Sequence, residues 1–188
     1  MIPGSVNSLF GAAATAGYQP WGASTVWNSA DMEAGITLSG GDLTAAMGAG
    51  YRGVRATTSH ATGKWRYQLT INSFGFTYTG VATIGATFGF DADANAWVFK
   101  AIGGAGASNP VHSSANGSPS ATVAAGDVID FYFDFDAGTM KLAVNGTGVG
   151  TSSQTISAGT YYPATMIYSA NVTANFGGSA FTHPAVYF

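Results

Sequence analysis

The chain has 188 residues, six Lys/Arg against nine Asp/Glu, and a formal net charge of −3. No cysteine is present, which excludes disulfides and thiolate metal sites. Charged residues make up only 8% and form no basic stripe, which argues against a nucleic-acid partner.

Residues 1–22 are small, glycine-punctuated and without apolar period. They read as an N-terminal arm, and the first basic residue, Arg52, comes too late for a secretory leader. Ordering such an arm costs on the order of 1–2 kcal/mol per residue, so it must dock on something. Phe10, Tyr18 and Trp21 are its natural anchors. Residues 23–188 read as one domain, and removing 1–22 is expected to leave that domain folded.

Residues 42–47 suggest one turn of helix, and Tyr51-Arg52 follows a Gly-Ala-Gly run at a loop. After that, short strands alternate with turn signals, the pattern of a sandwich or barrel. The strands expected are 53–59, 64–73, 77–88, 97–102, 127–135, 139–144, 161–169 and 172–176. The clearest is 127–135: Ile129, Phe131, Phe133 and Phe135 share one face, and Val128, Asp130, Tyr132 and Asp134 share a wetter one. Asp136-Ala137-Gly138 turns the chain, and Asn145-Gly146 is a hairpin dipeptide. Residues 103–121 form the longest expected loop.

Chemistry-bearing patterns are sparse. Asp91, Asp93 and Asn95 have the spacing that opens a calcium loop, but Ala96 and Ile102 stand where that loop needs Gly and a bidentate Glu. They are better read as turn residues. Asp130, Asp134 and Asp136 share a strand face, yet Glu33 is the single glutamate, so a two-carboxylate glycosidase is disfavoured. His60, His112 and His183 have no ligand-spaced partners and read as solvated loop residues. Gly103-Gly104-Ala105-Gly106 precedes no helix and cannot cradle phosphate. No cofactor, metal or catalytic residue is expected.

Several blocks, in order, resemble the SPRY (B30.2-like) domain: Val26–Asp31 with Ile36–Ser39, Gly63–Ile71, Val81–Gly85, Ala125–Gly146, and Tyr162–Gly177. Where the family writes Tyr-Trp-Glu this chain has Arg66-Tyr67-Gln68, which puts an ion pair at position 68 in doubt. The resemblance covers about 150 residues and leaves out 1–22. It implies an all-β protein, a bent antiparallel two-sheet β-sandwich related to the jelly roll and concanavalin-like groups, with a non-catalytic binding surface on its loops. Candidate ligand-binding loop residues are Tyr51, Arg52, Trp97, Asn109 and His112, with Trp97 also fitting a core role.

With its uncharged arm and Thr/Ser/Gly-rich composition, the chain looks like a structural protein of a tailed bacteriophage. That similarity implies a virion location, as capsid decoration, tail or fibre. It also implies an arm docked on other virion subunits, loops facing a host-surface glycan or protein, no membrane insertion, and a homo-oligomer or symmetric assembly. The alternatives are a cytoplasmic SPRY adaptor that binds a peptide, and a carbohydrate-active enzyme or lectin.

Overall fold

The computed structural model describes residues 17–102 and 108–185. Among them fifteen strands form: β1 (Gln19–Pro20), β2 (Trp27–Met32), β3 (Thr37–Ser39), β4 (Thr44–Met47), β5 (Arg52–Ala56), β6 (Lys64–Ser73), β7 (Phe76–Ala82), β8 (Ala96–Ile102), β9 (Asn109–His112), β10 (Ala115–Asn116), β11 (Val128–Asp134), β12 (Thr139–Val144), β13 (Thr147–Thr151), β14 (Tyr162–Tyr168) and β15 (Ala170–Asn175). No helix in this region is long and apolar enough to cross a membrane.

The strands form two sheets. The first runs β13-β12-β11-β6-β15-β4-β3, and the second runs β10-β9-β8-β7-β14-β5-β2. All pairings are antiparallel except that of β1, which lies parallel to the start of β6. Period-2 alternation sends Tyr67, Leu69 and Ile71 of β6 and Ile129, Phe131 and Phe133 of β11 inward. They meet Val54 of β5, Val81 of β7 and Trp97 and Phe99 of β8 from the second sheet. The expected all-β sandwich is the fold observed.

Two expectations about individual elements are corrected. Thr44–Met47 is a strand, not a helical turn, because it is paired on both sides, by β3 and β15, and buries Ala45 in the core. The stretch expected as a strand to residue 88 leaves the sheet after Ala82. It then crosses the outer face of the second sheet, where Phe90 is buried and Phe88 lies over Gly53. Arg55 fixes this crossing. It donates to Asp31 through two nitrogens (2.7 and 2.8 Å) and to the carbonyl of Ala86 (2.8 Å), with its guanidinium 4.6 Å from the Phe88 ring.

The loop expected over 103–121 contains a hairpin from residue 109 onward. Its turn is Ser113-Ser114, with both residues at positive φ (48° and 62°), the geometry of a type I′ turn. Asn145-Gly146 makes the same kind of turn, between β12 and β13.

At one corner the chain changes sheet twice. β6 passes to β7 through Phe74-Gly75, and β14 passes to β15 through Ser169 alone. The two crossings touch: a Cβ on Gly75 would lie 2.1 Å from the carbonyl oxygen of Tyr168. Gly75→Ala should therefore destabilise the domain by about 1–3 kcal/mol, the usual cost of forced overpacking. Chemical denaturation would check this. An unchanged midpoint would mean that the corner yields without cost.

Candidate functional site

The same corner places four rings from two strands and a loop on the outer face of the second sheet. Tyr168 of β14 pairs with Phe76 of β7, and Tyr78 follows two residues along on the same face. Tyr51 precedes β5. Its ring centroid is 5.0 Å from Tyr168, 6.2 Å from Phe76 and 6.2 Å from Tyr78. Tyr51 is 42% exposed, and it and Ile84 are the two large apolar side chains most open to solvent among the described residues.

Beside the rings lies a shallow depression of about 200 Å³ lined by Tyr78, Asp91, Lys100, Val111, Ser114 and Asn116. Lys100 donates to Asn116 Oδ1 (3.1 Å), so a cation and an amide border the aromatic surface. Burial and the nearby Asp91 carboxylate push the Tyr78 hydroxyl up to about 12. The folded state thus keeps a proton that the unfolded chain releases near pH 10. Between those values folding takes up a proton, so this contribution lowers stability as pH rises through the window. In an ultraviolet pH titration Tyr78 should ionise late, in a group that also holds Tyr67, whose complete burial pushes its hydroxyl well up. Tyr78→Phe should reduce the late amplitude by one tyrosine, and a titration unchanged by Tyr78→Phe would refute the assignment.

Of the residues expected on the binding loops, Tyr51 and Arg52 are at this surface. Arg52 is half-buried and donates to the carbonyls of Ala34 (3.2 Å) and Tyr51 (2.7 Å), which steadies the loop beneath Tyr51. The other three are corrected to structural roles. Trp97 faces the core, donates to the carbonyl of Thr155 (2.8 Å) and stacks on His112 at 4.2 Å. His112 is held by the carbonyl of Ala96 (2.9 Å), and buried Asn109 donates to Asn116 Oδ1 (2.9 Å). The depression and the rings beside Tyr51 went unrecognised in the sequence, because they are scattered over five segments.

The expected arm anchors are also corrected where the structure describes them. Phe10 lies outside the described residues. Tyr18 and Trp21 are buried in their own sandwich, since β1 joins the first sheet and carries both side chains onto it. The histidines are half-buried and partnered rather than free in loops: His60 stacks on Trp65 at 3.4 Å, and His183 sits 3.4 Å from Asp130. The acidic run is a set of turn caps, with Asp93 accepting from Thr87 and Asn95 backbone N–H groups (both 2.7 Å). Asp134 caps Ala137 (3.0 Å) and pairs with Lys64 (3.1 Å), while Asp136 accepts from the Gly63 N–H (3.0 Å). The described residues hold no cluster of three or more metal-ligating side chains.

The sandwich superposes on the SPRY domain of human HERC1 with a TM-score of 0.67 at 19% identity, covering 79% of this chain and 96% of that one. The fold is SPRY-like. The PSpry domain of TRIM65 matches with a TM-score of 0.66 at 9% identity over 85% of this chain and 94% of that one. Stonustoxin matches at 0.62 and 18% identity over 80% of this chain, which spans 27% of that longer one. No protein-family profile matches the sequence. The SPRY-like sandwich thus agrees with the blocks read from the sequence.

Proposed function

We propose that this SPRY-like domain is a non-catalytic binding module that captures a protein or glycan partner on the aromatic corner formed by Tyr51, Phe76, Tyr78 and Tyr168. The observation that carries the reading is the exposure of Tyr51 amid three further rings, next to a depression bordered by Lys100 and Asn116. Aromatic side chains supply large contact area at little entropic cost and dominate binding energy at interfaces. The SPRY-like fold of HERC1 and TRIM65 domains supports a binding role by analogy of fold.

The test is capture of a partner by the wild-type domain, then its loss in Tyr51→Ala and Tyr168→Ala. Tyr51→Ala should weaken binding by about ten-fold or more while shifting stability within about 0.5 kcal/mol, as for an exposed site. Equal binding by wild type and both variants would sink the reading.

The wider setting belongs to the same proposal. A virion or other assembled particle remains the best fit to a chain of low charge with a 16-residue segment ahead of the described sandwich. The chain enters at Tyr18 over β11, on the outer face of the first sheet, opposite the aromatic corner. Anchoring from that side leaves the corner free. Removing residues 1–16 keeps Tyr18 and Trp21, so loss of particle incorporation by an otherwise folded protein supports this setting, and full incorporation overturns it.

A further inference from the structure

The outer face of the first sheet is not open either. The segment after β15 folds back across β6 and β11, and side chains of those strands hold it by its backbone. Gln68 Oε1 accepts from the Thr182 N–H (2.8 Å), and the carbonyl of His183 accepts from Arg66 Nη2 (2.9 Å) and Gln68 Nε2 (3.4 Å). An amide and a guanidinium two residues apart on one strand thus read one peptide N–H and one peptide C=O.

Two side chains of the segment are read as well. The Phe181 ring lies 4.0 Å from the Arg66 guanidinium, which also lies 5.2 Å from the Tyr132 ring. His183 Nδ1 is 3.4 Å from Asp130 Oδ2, and its ring occupies a slot left by Gly146, where a Cβ would approach Cδ2 to 3.2 Å. The segment takes no ladder bonds from a strand, and it is joined to Phe176, the core residue that follows β15, through the small residues Gly177-Gly178-Ser179-Ala180.

We propose that this face is a second recognition site, which reads an extended aromatic-x-His peptide. Within one chain it is filled by residues 181–183, and its external ligand is the same segment of a second copy. The site is separate from the aromatic corner and does not depend on that reading. Arg66, Gln68 and Asp130 are buried polar groups on a face that apolar residues would cover at lower cost. The pattern they present matches the backbone and side chains of this segment, so the chain carries both halves of the contact. Exchange of the segment between copies would link them without any new surface.

The experiment uses the full chain with Phe181→Ala and His183→Ala, which weakens its own segment and leaves the site intact. A fluorescent peptide spanning Ser179–Ala185 is titrated and followed by anisotropy. The variant should bind it saturably and at least ten-fold more tightly than wild type, whose site is filled. Adding Gln68→Ala, or replacing Phe by Ala in the peptide, should abolish the gain. If the double variant does not fold, His183→Ala alone carries the same comparison. A folded variant that binds the peptide no better than wild type, or no better than a scrambled peptide, overturns the proposal.

Discussion

Trp21→Ala should cost about 3–5 kcal/mol of stability, the range for truncating a fully buried large aromatic. Trp21 is 1% exposed. Its ring meets Tyr67, Phe133 and Phe135 edge-on at 5.8–6.0 Å, and His60 at 5.1 Å. Its indole N–H donates to the carbonyl of Thr58 (2.9 Å), its backbone N–H donates to Arg66 O (2.9 Å), and its carbonyl contacts His60 Nε2 (2.8 Å). The residue closes one end of the sandwich, and nothing else is placed to fill its volume. Deleting residues 1–22 should therefore unfold the domain, against the expectation that the sandwich survives without its arm. Urea denaturation checks both variants, and a loss below about 1 kcal/mol in Trp21→Ala would show that the site collapses cheaply.

The misplaced arm boundary shows where local sequence stops being informative. Trp21 stands between Pro20 and Gly22 with no apolar period around it, so only its partners on β6 and β11 reveal it as core. The inner face of β11 was legible because alternate phenylalanines are a strong period-2 signal. Its outer face was not: Val128, Asp130, Tyr132 and Asp134 are all buried, although they were expected to be wetter. Their cover includes Tyr18 and the segment ending at Ala185, from opposite ends of the chain. The β9–β10 hairpin was hidden because Ser113-Ser114 adopts a conformation usually signalled by Asn or Gly. At the candidate site Tyr51 was legible as an aromatic beside a glycine run. Phe76, Tyr78 and Tyr168 looked like ordinary strand residues until the double sheet change brought them to one corner.

Asp130→Ala should be as damaging as loss of Trp21, about 3–5 kcal/mol, because it strands a buried guanidinium. Asp130 accepts from Gln68 Nε2 (2.6 Å) and Arg66 Nη2 (3.2 Å), and both donors are buried with it. A pair of this kind repays little of its own desolvation, so removing both charges is the informative control. Arg66→Met with Asp130→Leu should recover most of what Asp130→Ala alone loses, and a thermodynamic cycle would isolate the coupling. If Asp130→Ala costs less than about 1 kcal/mol, water or another group has replaced the partner, and the buried-charge argument fails. Desolvation raises the Asp130 carboxyl above its ordinary value, outweighing the opposing pull of Gln68, Arg66 and His183. The folded carboxyl then keeps its proton to a higher pH than the unfolded one, so folding takes up a proton between the two values. Its contribution to stability falls as pH rises through that window and is level above it. Asp130→Asn should remove that fall while keeping a group that can accept from Arg66. A stability profile that stays the same in acid for Asp130→Asn and wild type would mean that the carboxyl titrates normally in the folded protein.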